Sequence, residues 1–506
     1  MKILIKPWRQ LRMHSQQWRA DANHTVLIGL DLGTSGLKGV AVDLNGYVIA
    51  RGQATYPTSR PELGASEQDP KHWLDASELV IRQLAEQIPT ELWAGIGLSG
   101  MIPTLVCLDN ESNPVGSAIT WEDGRAEDFG KSFRNKFGEA ALYKATGQLV
   151  DGRYLIPMWL RLCNAEPQRK ASTVTIAGAK DYLFGVLTGV VETDPSTATG
   201  YGCFNLKTGC WDESILQAAG ISVKVPNIAM STTWRPVSEI AASTFDLPQG
   251  LPICIGAADS VLGAVGMGIT AQGQIAYVAG TSTVILGISE SIPDDPKNRF
   301  IVTPMAEPGT WGLEMDLLST GGAIRWLSEL FGEASETAAL ELARNSKSSE
   351  PPTFLPYVSP GEQGALWDPN STGSIHGLNL SHSKGDIMKA LVDGILLESW
   401  RCISVLQEFG FQGEDISVAG GSALNPWFRQ QLADVLQRNV IAPIDGDSDY
   451  SAIGGALILA RSQGINVASP ERQTMKISPD PAFEKAWQEK FAKFEVVRLS
   501  QPRVMH

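Results

Sequence analysis

Two stretches of this chain repeat one construction. Residues 28–43 read IGLDLGTSGLKGVAVD and residues 274–289 read QIAYVAGTSTVILGIS. Each is an apolar strand, a Gly-Thr-Ser turn and a second apolar strand, so each predicts a β-hairpin. The two copies begin halves of similar size, about 250 residues apart. The chain is therefore predicted to be an internal duplication with one such hairpin in each half. Its 506 residues agree with this, because single hydrophobic cores stop growing well below that length.

The segments after each hairpin extend the pattern. In the first half GYVIARGQATY reads as a third meander strand, 73–88 has helical periodicity, and 93–100 returns as a buried strand followed by TLVCLD. Three antiparallel strands, a helix and a parallel strand make an α/β arrangement. Residues 126–190 read as mainly helical, and 251–268 as strand, turn and small-residue helix. The second half carries the helices GGAIRWLSELF, DIMKALVDGILLESWRCISVLQEFG, NPWFRQQLADVLQ and SAIGGALILARSQG, the strand DISVAGG, and a charged tail helix, AFEKAWQEKFAKF.

Composition narrows the function classes. With 41 basic and 55 acidic residues the net charge is −14, spread without long acidic runs, so no general attraction to nucleic acid or an anionic membrane is expected. Any phosphate must be held by local backbone N–H groups and a few side chains. The cysteines at 107, 163, 203, 210, 254 and 402 form no Cys-x-x-Cys pair and have no histidine at ligand spacing. They read as reduced thiols of a cytoplasmic protein. Residues 1–24 are basic with an apolar run of three residues, too short for a signal peptide, and read as an N-terminal extension.

One Gly-Thr-Ser turn is ordinary hairpin chemistry, but a facing pair can hold the oxygens of a polyphosphate with N–H and hydroxyl donors. A carboxylate in the first turn, Asp31, would then bind Mg²⁺ directly or through water. Lys38, just beyond the turn, could pair with a phosphate or be simply solvated. Asp259, in GAADSVLGAVG, ends an apolar strand as a helix begins. It could cap that helix or take a proton from a substrate hydroxyl. ITWEDGR sets Trp121, Glu122, Asp123 and Arg125 at a strand end, which suits a polyol site or a surface turn. VAGGSALNPWFRQ has a Gly-Gly turn opening a helix, with Asn425 as a plausible N-cap. The polar segments AKDYL and TDPSTATGY read as polar insertions near the cleft, or simply as caps of the helices that follow. Neither G-x-G-x-x-G nor G-x-x-x-x-G-K-[ST] occurs at these sites.

Taken in order, GLDLGTSGLKGVAVD, ASEQDPKHW, ITWEDGR, KDYLFGVLTG, GAADSVLGAVG, AGTSTV, FLPYVSPGE, VAGGSALNPWFRQQLADVL and SAIGGALILA resemble the FGGY carbohydrate kinases, of the actin-like ATPase superfamily. The resemblance covers roughly residues 26–470 and is strongest to the xylulose kinases, through SEQDP, WEDGR and FLPY. It implies an α/β fold of two ribonuclease-H-like domains facing a central cleft. Residues 25–255 would be the sugar-binding N-terminal domain, 256–475 the ATP-binding C-terminal domain, and 476–506 a tail helix. ATP and Mg²⁺ are the implied cofactors, and a small sugar is the implied substrate. The oligomeric state stays open, a homodimer among the options.

By position, the resemblance makes Asp31 the Mg²⁺–phosphate residue and Asp259 the base that activates the attacking hydroxyl. Thr34, Ser35 and Lys38 would lie near the γ-phosphate, and Gly280, Thr281 and Ser282 would hold the β- and γ-phosphates. Gly321 and Arg325 would flank the nucleotide, and Gly420, Gly421, Ser422 and Asn425 would contact the adenosine. Gly100, Met101, Ile102, Trp121, Asp123 and Asp259 would meet the sugar.

Two departures fall on the sugar side. Xylulose kinases carry Gln-Met-His after the strand glycine, whereas this chain reads Gly100-Met101-Ile102-Pro103. The loop expected as Gly-Glu-Arg-x-Pro appears as PGEQGALWDP, without its arginine. A pentulose such as D-xylulose is the expected substrate, with glycerol, ribulose and gluconate as alternatives. A sugar sensor of the same fold that binds without turnover is the competing class.

Overall fold

The structure, a computed structural model, describes residues 25–359, 364–368, 371–444, 449–468 and 474–500. The expected extension at 1–24 lies outside them. The described residues divide into two compact units. One runs to Gly268 and takes in Thr303–Thr310 and the described part of Asp449–Glu471; the other holds the described remainder.

Among its described residues the first unit has a six-stranded sheet. Strands β1 (Val26–Leu32), β2 (Gly36–Asp43) and β3 (Val48–Thr55) form the antiparallel meander. Strands β4 (Trp93–Gly100) and β5 (Pro252–Ala258) continue on the other side of β1 in parallel, giving the order β5-β4-β1-β2-β3 with Trp234–Pro236 at the edge. Strands β4 and β5 are buried at every residue and β1 at all but Asp31. This is why they read as continuous apolar runs: helices cover both faces of the sheet.

On one face the helix Pro70–Gln87 packs against β2 and β3. Its buried Trp73, Ala76, Val80, Ile81 and Leu84 recur at three- and four-residue intervals, the stripe of an amphipathic helix. Asp69 starts it by accepting the Lys71 N–H at 2.9 Å, with Pro70 at the first helical position. On another face lie the helices Asp259–Met267 and Tyr450–Gln463, packed on one another.

The helix Tyr450–Gln463 is the SAIGGALILA segment, which the sequence assigns to the C-terminal domain. It packs instead on β1, β4 and β5 and belongs to the first unit, as do residues 256–268. The cause is steric. A Cβ on Gly29 would sit 1.7 Å from the Ala452 carbonyl oxygen, and one on Gly97 would sit 2.0 Å from that of Gly455. Glycines on both surfaces let helix and sheet approach at backbone distance, so the contact is specific to this pair.

The second unit repeats the plan. Strands β6 (Ile275–Ala279), β7 (Thr283–Ser289) and β8 (Trp311–Leu317) form an antiparallel meander. Strands β9 (Asp415–Ala419) and β10 (Asn439–Pro443) join in parallel, in the order β8-β7-β6-β9-β10. Order and direction match the first unit strand for strand, so the duplication read from two hairpins holds across five strands. This is the ribonuclease-H-like arrangement of actin-like ATPases. The tail helix Glu484–Ser500 buries Trp487 and Phe494, and its Phe491 ring lies 4.8 Å from that of Trp400.

Candidate active site

The first Gly-Thr-Ser turn joins β1 to β2, and three side chains brace it. The Tyr56 hydroxyl donates to the Gly33 carbonyl, Gln68 Nε2 donates to the Thr34 carbonyl at 2.7 Å, and Trp121 Nε1 donates to Thr34 Oγ1 at 2.9 Å. Burial and the charge of Asp31 both push the Tyr56 phenol far up, so it stays a donor. Ser35 is exposed at the tip. The Gly33 N–H closes the turn on the Gly36 carbonyl at 3.1 Å, and the N–H groups of Thr34 and Ser35 with the exposed Ser35 hydroxyl are the donors such a turn could offer an anion.

Asp31 is the one polar residue of β1. Its Oδ1 accepts the Ser99 hydroxyl at 2.7 Å from the neighbouring β4. Burial raises its pKa; the Ser99 hydrogen bond and the charge of Lys38 oppose the rise, and Asp449 adds to it. Lys38, opposite Asp31 in the hairpin, ion-pairs with Asp449 at 3.1 Å, and Arg51 reaches the other Asp449 oxygen at 3.2 Å. The lysine, expected to pair with a phosphate or be simply solvated, thus has a carboxylate partner.

Parallel pairing sets the remaining strand ends. Leu32 and Ala258 both stand opposite Gly100, so Asp31 and Asp259 lie at the same edge of the sheet, on the strands flanking β4. Asp259 is the first residue of its helix and not its cap; the residue in the cap position is Ala258, which has no side-chain cap bond. Its Oδ1 accepts the Ser260 N–H at 2.9 Å and its carbonyl accepts Ser451 Oγ at 3.0 Å. Met101 follows Gly100 into the core, its N–H bonded to the Leu32 carbonyl at 2.9 Å. Ile102 and Pro103 are half-buried.

The WEDGR turn behaves differently along its length. Trp121 is half-buried against the Thr34 turn. Asp123 is buried, and both of its oxygens are engaged by protein donors. Oδ2 accepts the Ser66 N–H at 2.9 Å and Arg125 Nη2 at 2.6 Å, and Oδ1 accepts Arg125 Nε at 3.1 Å. Arg125 also reaches Glu62 and Glu67. Asp123 therefore ties ASEQDP to WEDGR.

The AKDYL and TDPSTATGY segments, expected as polar insertions, are core. Lys180, Asp181 and Asp194 are each 0% exposed. Lys180 Nζ lies 3.0 Å from Asp194 Oδ1 and 3.5 Å from Asp181 Oδ1. Burial alone would lower the lysine pKa, but the two carboxylates outweigh it and raise it. An apolar helix that carries Lys-Asp in its first turn was the available signal.

In the second unit the expected nucleotide elements converge. A Cβ on Gly321 would lie 2.3 Å from the Gly280 carbonyl oxygen, and one on Gly420, whose φ is +94°, would lie 2.3 Å from that of Ala279. The 280–282 turn, the start of helix Gly321–Phe331 and the Gly420-Gly421 turn thus touch backbone to backbone. Arg325 Nη2 donates to Thr281 Oγ1 at 3.4 Å. Asn425 caps helix Pro426–Leu436, accepting the Trp427 and Phe428 N–H groups at 2.9 and 3.1 Å. Ser422 Oγ donates to Glu336 Oε1 at 2.6 Å, a carboxylate that nothing in its local sequence singles out. The arginine-lacking loop begins at 360–363, outside the described residues. No helix among the described residues is long and apolar enough to cross a membrane.

The model of the FGGY family of carbohydrate kinases matches in two parts, its N-terminal domain at residues 26–266 and its C-terminal domain at 275–462. The chain is 28% identical over 451 residues to a gluconokinase of Bacillus licheniformis, covering 86% of each. It is 27% identical over 463 residues to a xylulose kinase of Escherichia coli (strain K12), covering 91% of this chain and 93% of that one. The solved structure of ligand-bound xylulose kinase from Lactobacillus acidophilus is similar with a TM-score of 0.86 and 25% identity, over 94% of this chain and 98% of that one.

Proposed function

Because the chain belongs to the FGGY family of carbohydrate kinases, and is thereby a sugar kinase with sugar and ATP as substrates, we propose that it transfers the γ-phosphoryl group of ATP to a hydroxyl of a small ketose, with Asp259 as the base. One observation carries the reading: Asp31 and Asp259 share one sheet edge at the carboxyl ends of parallel strands, flanking β4. Ligands of open α/β sheets bind at such edges.

Phosphoryl transfer asks a protein for positioning, charge neutralisation and a proton acceptor. Asp259 would take the proton of the attacking hydroxyl as the oxygen approaches phosphorus. Trp121 offers an aromatic face for a sugar beside the braced turn. In the second unit the Gly280 N–H closes the turn on the Ser282 carbonyl at 2.8 Å, and the N–H groups and hydroxyls of Thr281 and Ser282 would hold phosphate oxygens, with Arg325 beside them. Gly321, Gly420, Gly421 and Ser422 allow the close backbone approach that a nucleotide needs.

Among the described residues no group of three or more His, Cys, Asp or Glu could hold a metal ion. A lone half-buried carboxylate fits Mg²⁺ carried largely by phosphates and water, with Asp31 as its protein ligand. Bound there, the ion would neutralise phosphate charge.

D-xylulose is the proposed acceptor, supported by likeness to xylulose kinases. Gluconate is the second reading, favoured by the gluconokinase relative and by Pro103 standing where the xylulose kinase pattern has histidine. An ADP-release assay over D-xylulose, D-ribulose, D-gluconate and glycerol tests both; ADP with none of them overturns the reading. Asp259→Asn is expected to lose kcat by several orders of magnitude while ATP still binds by calorimetry. A rate within about tenfold of the unaltered enzyme overturns the assignment of Asp259.

A further inference from the structure

Three side chains that the proposed chemistry does not use form a continuous buried chain ending at the N–H of Ala258, the residue before Asp259. It starts at the Lys180–Asp194 ion pair, 3.0 Å long and closed to solvent. The second oxygen of Asp194 accepts both the N–H and the hydroxyl of Ser196, itself 1% exposed. With its proton given to Asp194, Ser196 Oγ accepts the N–H of Ala258 at 2.8 Å. Ala258 is the last residue of β5, and the next residue is Asp259.

The surroundings leave this chain no slack. Thr197 Oγ1 also donates to Asp194, at 2.6 Å, fixing the carboxylate. A Cβ on Gly100, opposite Ala258 in the sheet, would lie 2.9 Å from Lys180 Cβ. A buried ion pair is weak evidence of a stability role, and besides capping the helix Pro195–Thr199 Asp194 takes the Ser196 hydroxyl hydrogen. A hydroxyl that donates to a carboxylate is polarised into a better acceptor, and its direction is set by the carboxylate.

We propose that Ser196 is a positioning residue for Asp259: held in direction by Asp194 and Lys180, it fixes the Ala257–Ala258 peptide at the end of β5, one residue before the one that carries the carboxylate. The proposal rests on the reading of Asp259 as the base. Ser451 and Ser260 hold Asp259 from the helix side, whereas Ser196 holds it from the strand side. A base displaced by a fraction of an ångström loses rate without losing affinity for ATP.

The test compares the unaltered enzyme, Ser196→Ala, Asp259→Asn and the double variant, at saturating ATP with D-xylulose and D-gluconate in parallel. Ser196→Ala is expected to lower kcat on the order of 10- to 100-fold, with KM for ATP within about threefold. In the Asp259→Asn background the same change is expected to cost nothing further, because its effect passes through the missing carboxylate. Ser196→Ala at the unaltered rate, or an equal loss in both backgrounds, overturns the positioning role while leaving Asp259 as base. An undiminished rate in Asp259→Asn overturns the underlying reading and this proposal with it. Ser196→Cys fills the same space with a weaker acceptor and carries the same expectation should the alanine variant not fold. Amide hydrogen exchange at Ala258 gives a readout independent of turnover: faster exchange in either variant is expected, and unchanged exchange overturns the proposal.

Discussion

The Ser99 hydroxyl donates a 2.7 Å hydrogen bond to Asp31 Oδ1, joining β4 to the one polar residue of β1. The bond favours the carboxylate, but burial outweighs it and raises the Asp31 pKa. In the folded protein this carboxyl therefore keeps its proton to higher pH than in the unfolded chain. Stability then falls as pH rises from the ordinary aspartate value through the raised one. Asp31→Asn removes that loss and can still accept from Ser99. Its melting temperature is expected to exceed that of the unaltered protein by a margin that grows as pH rises from the ordinary aspartate range, while kcat falls on the order of 100-fold or more. A gain that does not grow with pH refutes the electrostatic argument.

Lys180 is the counter-charge of two carboxylates that have no access to water. Lys180→Met keeps the length of the side chain and removes the charge. It is expected to destabilise the first unit by about 3–5 kcal/mol in urea denaturation, the cost of uncompensated buried charge. Adding Asp194→Asn should cost less than the sum of the two single changes. Additive effects would mean that the pair is not coupled.

Glu336 and Ser422 are joined across 86 residues of sequence at 2.6 Å. If Ser422 belongs to the nucleotide site, Glu336→Ala frees its hydroxyl to turn away. The expected result is a KM for ATP raised by about three- to tenfold, with the sugar KM unchanged. Equal changes in both KM values would assign Glu336 to general stability.

Gly29 faces Ala452 at backbone distance. Gly29→Ala must push the helix Tyr450–Gln463 off the sheet, since the atom it meets is a carbonyl oxygen that cannot rotate aside. Loss of more than about 3 kcal/mol, or failure to fold, is expected, with equilibrium unfolding followed by circular dichroism as the check. Stability near that of the unaltered protein would show that the contact yields.

Much of this architecture was legible in the chain. The two Gly-Thr-Ser hairpins, the apolar runs of β1, β4 and β5, and the stripe of Pro70–Gln87 are local patterns, and local patterns carry strand and helix periods directly. The ordered motifs then pointed to the kinase family. What stayed hidden depended on partners distant in sequence. Asp259 has the same local signature as an N-cap or as a base, and the observed helix start puts Ala258 in the cap position and Asp259 one residue after it. Asp123 has the look of a sugar ligand until Arg125 and Ser66 are found on its oxygens.

The sequence by itself determined the element types, the duplication and the family, because each is written in spacing along the chain. Tertiary structure decided where SAIGGALILA packs, that Lys180 and Asp194 form a closed ion pair, and that Ser196 reaches the Ala258 N–H. Periodicity says which face of an element is buried, but not against what. A charge acquires its cost, its partner and its direction only when the surrounding strands and helices have excluded water from it.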